Sequence, residues 1–121
     1  MSVGVWIGVA LLGGIGALLR FRLDALVQLR FAGELPLGTL VVNLAGSFCL
    51  GALTGLSVTD DTLLLAGTGL LGSFTTFSTW MLETERLGED GQGRLAVLNL
   101  AASFGGGLAA ALLGWIVGAA L

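Results

Sequence analysis

Histidine and tyrosine are missing from this sequence, cysteine and proline occur once each, and charge is scarce. Without histidine the chain lacks the commonest transition-metal ligand and the usual general base near neutral pH. That argues against an enzyme. The lone cysteine, Cys49, has no partner for an internal disulfide, so redox compartment cannot be read from it. Charged residues make up 11% of the 121, against about 25% in a typical soluble domain. With 55% hydrophobic residues and a mean hydropathy of +0.99, the chain cannot cover itself with polar surface. A bilayer is its natural solvent.

The few charges are segregated. Residues 1–19, 35–59, 62–82 and 95–121 contain no Asp, Glu, Lys or Arg. Each stretch is long enough for a span, since a helix needs about 20 apolar residues to cross about 30 Å of hydrocarbon. The pattern predicts one all-α membrane domain with four transmembrane helices at about 3–21, 37–56, 62–82 and 95–120. A soluble bundle is the weaker alternative, because buried helices there still alternate with polar faces. The first stretch lacks a basic n-region and a small-residue cleavage site, so it is expected to be a retained helix, with an amphipathic extension through Leu29. Pro36 suits a first helical turn. Residues 57–61 read as a tight polar turn, with Asp60 and Asp61 placed to cap the next helix. The most polar loop is expected between Glu83 and Arg94.

Glycine is abundant, with 21 residues. The spacings Gly4-x-x-x-Gly8, Gly51-x-x-x-Gly55 and Gly114-x-x-x-Gly118 let backbones approach closely in lipid. They imply tight packing and leave dimerisation through any one of them open. Gly67-Thr-Gly69-Leu-Leu-Gly72 also satisfies the dinucleotide pattern, but that pattern has meaning only between a strand and a helix. Inside an apolar span it carries no nucleotide. The five basic residues decide orientation: Arg20, Arg22 and Arg30 lie between spans one and two, Arg86 and Arg94 between spans three and four. By the positive-inside rule both charged loops are cytoplasmic and both termini extracytoplasmic.

Polar groups in lipid are costly unless they are paired or face water. Span two holds Thr39, Asn43, Ser47 and Thr54; span four holds Asn99 and Ser103. Span three is denser, with five hydroxyls between residues 73 and 79 of Gly72-Ser-Phe-Thr-Thr-Phe-Ser-Thr-Trp80. These cannot all bond back to the preceding turn while facing lipid, and they weaken the helical ladder. The third helix is therefore expected to break near its middle. A break exposes carbonyls that hold a small cation, and amides and hydroxyls that donate to an anion. Phe77 and Trp80, three apart, share a side once the helix resumes, and aromatic edges are electropositive. A polar helix–helix seam would use the same residues, and the residues alone leave both readings open. Glu83 and Arg86 form an i,i+3 pair suited to a solvated helix end. Arg20 can snorkel to headgroups or line a cationic vestibule.

Three motifs in order, Gly13-Gly-Ile-Gly-Ala17-Leu-Leu-Arg20, Gly38-Thr-Leu-Val-Val-Asn43-Leu-Ala-Gly46-Ser-Phe and Gly72 to Trp80, make the whole chain resemble the small fluoride channels called Fluc or CrcB proteins. The resemblance implies four-helix subunits paired as antiparallel dimers, with two fluoride pores and a structural sodium ion at the dimer interface. It implies passive fluoride export that protects the cell from fluoride toxicity. Asn43 would then donate into the anion path, Phe77 would be the first aromatic of a pair, and Ser78 and Thr79 a hydroxyl track. Gly72 and Thr75 would hold sodium through backbone carbonyls, and Ser103 would be a pore hydroxyl of span four. Thr39, Arg20 and Glu83 would lie near the pore or its mouth. Fluoride is small and strongly hydrated, so several weak donors must replace its water without trapping it.

Three departures stand out. Trp80 replaces the usual second phenylalanine, bringing a larger ring and an N–H. Asn99 stands where many members have a tyrosine. The one-sided arginines suit a chain that inserts one way and pairs with an oppositely oriented homologue, in place of a dual-topology homodimer. A non-conducting or single-pore partner subunit of a heterodimeric channel is thus the alternative reading. A small multidrug transporter is excluded, because it needs a membrane carboxylate and residues 1–19 have none.

Overall fold

Every element of the computed structural model, which describes residues 2–121, is helical, and the described residues include no strand. Helix α1 (Val3–Arg30) starts where the Ser2 hydroxyl accepts the Val5 N–H at 3.2 Å. Nothing interrupts its ladder before Arg30, so the first span and its extension are one helix. Helix α2 (Leu37–Gly55) begins immediately after Pro36, which stands at the N-cap and not inside the first turn. A turn through Ser57, whose φ of 55° lies in the left-handed region, then reverses the chain.

The next cap differs from expectation. Thr59, not an aspartate, accepts the Thr62 N–H at 3.2 Å, and Asp60 and Asp61 occupy the first turn of α3 (Asp60–Thr62). There their carboxylates still face the positive end of the helix. The helix continues as a π-helix (Leu63–Leu71) and then α4 (Gly72–Phe74). In this wider winding the Gly72 N–H reaches Gly67 O. π segments are rare and cluster at functional sites. Residues 75–77 are non-helical, and α5 (Ser78–Glu89) resumes beyond them. Gln92 N–H to Leu87 O at 2.8 Å and Gly91 N–H to Gly88 O at 3.3 Å close α5 as a Schellman motif. Gly91 supplies its left-handed residue, with φ 78°. Helix α6 (Gly93–Ala120) completes the chain.

Helices α1, α2 and α6 are long and apolar enough to cross a membrane. The stretch 62–82 is cut by the interruption, so no piece of it reaches that length. Glycine sets the packing. A Cβ on Gly51 or Gly55 would strike the carbonyls of Ala111 or Trp115, and one on Gly114 or Gly118 those of Phe48 or Ala52. These two glycine pairs therefore serve each other within one chain, α2 running parallel to α6. Between Leu56 and Gln92 the chain must return along the full length of that pair. Similarly, Gly16 fits against Leu70 O and Ser73, and Gly69 against Val9, so α1 lies parallel to the π-helix.

The interior is small and polar. Its buried large hydrophobics are Val42 and Leu87, beside buried Thr39, Asn99 and Ser103. Phe21, Leu29, Phe104 and Trp115 face outward. A continuous apolar exterior of this kind suits lipid and would be a liability in water.

Candidate functional site

The break is built by side chains competing with the backbone ladder. Ser73 Oγ donates to Gly69 O at 2.9 Å and Thr75 Oγ1 to Leu71 O at 3.0 Å. At Thr75 the chain turns extended, with φ −80° and ψ 162°. Two of the five hydroxyls therefore do bond back to the preceding turn, and the others do not. Thr76 turns forward, its Oγ1 accepting the Thr79 N–H at 3.2 Å and so capping α5. Ser78 is exposed, and Thr79 faces a cavity.

Asn43 holds the break from α2. Its Nδ2 donates to Thr76 O at 2.8 Å, and its Oδ1 accepts the Thr76 N–H at 2.8 Å. A backbone N–H only donates and a carbonyl only accepts, so this pair fixes the amide orientation. One N–H of Asn43 remains for another acceptor. Arg20 reaches across from α1, its Nε donating to Ser73 O at 3.2 Å. Gly46 leaves room for the Thr75 methyl. Among the described residues no donor reaches the carbonyls of Gly72 or Thr75, because the Thr76 N–H is taken by Asn43 and the Thr79 N–H by Thr76. Two bare carbonyls suit a hard cation. No group of three His, Cys, Asp or Glu side chains that could hold a metal occurs among the described residues.

Two cavities meet at Thr76. One, about 430 Å³, brings together Asn43, Gly72, Thr75, Phe77, Trp80 and Ser103. The other, about 260 Å³, is lined by Arg20, Asp24, Thr39, Thr76 and Thr79. The structure thus gathers most of the sequence-nominated residues into two chambers separated by residue 76. Ser78 lines neither. Ser103 Oγ is buried without a hydrogen-bond partner beside the larger chamber.

Phe77 and Trp80 meet edge to face, with centroids 5.6 Å apart and planes at 80°. The indole N–H is already engaged, donating to Asn99 O at 3.3 Å. Asn99 is buried and turns its side chain to Thr84, Nδ2 to Oγ1 at 2.8 Å. Beyond the apolar stretch, Glu83 is held above the usual carboxylate range, chiefly by burial and also by nearby Asp24, while Thr39 and Arg86 oppose the shift. A carboxyl that protonates more readily repels an anion less.

Sequence reasoning passed over Thr76, Asp24 and Thr84. Thr76 lies at the centre of the hydroxyl run, which was its signal. Asp24, whose Oδ1 is buried against Gly38 without a hydrogen-bond partner, was concealed among the charges of the Arg20–Arg30 segment. Thr84 carries no signal outside its partnership with Asn99.

Comparison with known proteins bears on this geometry. The profile of the family described as "CrcB-like protein, Camphor Resistance (CrcB)" matches residues 7–115. A protein of Mycobacterium tuberculosis named fluoride-specific ion channel FluC 2 is 56% identical over 117 residues, covering 96% of this chain and 93% of that protein. The Haloarcula marismortui protein of the same name is 50% identical over 102 residues, covering 84% and 80%. Fluoride-specific ion channel FluC 1 of Symbiobacterium thermophilum is 41% identical over 119 residues, covering 93% and 96%.

Proposed function

The chain belongs to the CrcB family, and from that premise we propose that it is a subunit of a fluoride-selective channel that exports fluoride passively across the cell membrane. The observation that carries this reading is the Asn43–Thr76 grip, which holds a helix break open between two chambers, the larger a mostly apolar one into which Asn43, Thr75 and Ser103 bring polar groups. Arg20, Thr39 and Thr79 line one chamber; Phe77, Trp80 and buried Ser103 line the other. Neutral donors of several kinds in sequence replace water around a small anion without holding it fast. Arg20 adds positive charge at one end, and burial raises the pKa of Glu83.

The segment between Leu56 and Gln92 is itself a crossing, the third of four in chain order. The parallel run of α2 and α6 supports this, since the chain must return the whole length between them. Both termini then share a side, extracytoplasmic by the arginine distribution. Two subunits pair antiparallel across the larger chamber, with a structural sodium ion at their interface. The carbonyls of Gly72 and Thr75, which accept no hydrogen bond among the described residues, would hold that ion. Its role is to neutralise unpaired carbonyls and pin the chains together.

A second reading, a single-pore partner in a heterodimer, is favoured by one observation. Asn99 is buried against Thr84 and offers nothing to an anion. The one-sided arginines, and relatives bearing the names FluC 1 and FluC 2, fit such a pairing. Fluoride efflux from liposomes holding this chain alone, read with a fluoride electrode beside a chloride control, decides between them. Fluoride release with chloride retained is expected. Release only after an oppositely oriented homologue is added selects the second reading, and no release with either overturns both.

A further inference from the structure

We propose that Asn99 and Thr84 are positioning residues that lock the Trp80 indole edge-on to Phe77, fixing the aromatic wall of the larger chamber; its relevance to fluoride rests on the reading above. The hydrogen bonds form a closed circuit between α5 and α6. The Trp80 indole N–H donates to Asn99 O at 3.3 Å, and Asn99 Nδ2 donates to Thr84 Oγ1 at 2.8 Å. The Thr84 hydroxyl then returns its proton to Trp80 O at 2.8 Å. Each donor and acceptor capacity is used consistently, since a hydroxyl gives one proton and accepts another.

Two consequences follow from the circuit. The indole N–H is bound to a carbonyl and is therefore not a ligand for a passing anion; the indole acts as a wall. Its edge-to-face contact with Phe77 also braces a ring that is 68% exposed. Asn99 further sets the register of α6, and Ser103, one turn onward on the same face, lines the same chamber. A displaced Asn99 would move the indole and the Ser103 hydroxyl together.

The test uses the full chain in liposomes with Trp6→Phe and Trp115→Phe, so that Trp80 is the remaining tryptophan of three. Thr84→Val removes the hydroxyl at nearly constant volume, and Thr84→Ser restores it. Thr84→Val is expected to lower Trp80 fluorescence anisotropy, shift its emission and reduce fluoride efflux about tenfold, with Thr84→Ser recovering all three. In a Trp80→Phe background the same Thr84→Val change should alter efflux less than about twofold, because the indole it positions is gone. Unchanged Trp80 anisotropy in Thr84→Val, or an equal loss of efflux in both backgrounds, overturns the proposal. If Thr84→Val does not elute as a single species, Asn99→Ser replaces it with the same readouts. A chain that carries no fluoride at all would sink the channel reading alone, since the anisotropy still decides the lock.

Discussion

The α2–α6 seam and the break at residues 75–77 solve the same problem by opposite means. Along the seam both helices are intact, their backbone groups are internally satisfied, and they approach through absent side chains at Gly51, Gly55, Gly114 and Gly118. At the break the ladder is open, and side chains from two other helices reach in to replace it: Asn43 for Thr76, Arg20 for Ser73. In an apolar solvent the hydrophobic effect does little to join helices, so contact comes from dispersion or from hydrogen bonds. The seam uses the first and the break the second. One region is rigid for want of room; the other is held by a few replaceable bonds.

Substitutions at three positions would break or sharpen that contrast. Gly114→Leu should do most damage, because its Cβ would strike Phe48 O and overpacking costs about 3 kcal/mol where a backbone cannot yield. The expected sign is loss of a single species on size exclusion in detergent; an unchanged thermal midpoint would mean the seam is softer than described. Asn43→Ala should cost about 2 kcal/mol, through the unpaired Thr76 N–H and carbonyl, and should cut fluoride efflux at least tenfold. Asn43→Asp keeps the acceptor but not the donor, and ought to fall short of the parent in both stability and efflux. Ser103→Ala has the smallest structural effect. Its hydroxyl is buried without a partner, so removal should leave the midpoint unchanged or raise stability by about 1 kcal/mol. Slower efflux together with equal or better stability would mark Ser103 as serving the ion. A drop in the midpoint would mean that the hydroxyl has a structural partner after all.

Much of this arrangement was legible beforehand, and the failures have physical reasons. Charge-free stretches locate α1, α2 and α6 because lipid allows few other arrangements of apolar sequence. The break falls inside the hydroxyl run because Ser73 and Thr75 compete with the ladder through purely local bonds. The π-helix was not legible: Leu63–Leu71 is ordinary apolar sequence, and its winding is a register slip that leaves no compositional trace. The Asn43 grip was equally hidden, since it joins residues 33 apart and targets main-chain atoms. The cap at Thr59 was missed because three capping residues stand in a row, and only the turn geometry selects among them. Trp80 and Asn99 were noticed separately as departures; that each answers the other appears only when α5 is laid against α6.

The grip on Thr76 also bears on how such a protein can drift over generations. What Asn43 recognises at residue 76 is peptide, not side chain, so position 76 needs only a short group able to cap Thr79. Position 43 has far less freedom. Among the side chains only Asn and Gln carry an amide donor and acceptor on one short planar head, and Gln is a carbon longer. Two residues in the same contact are therefore under unequal constraint. A lineage can exchange one of them among short capping groups and must leave the other almost untouched.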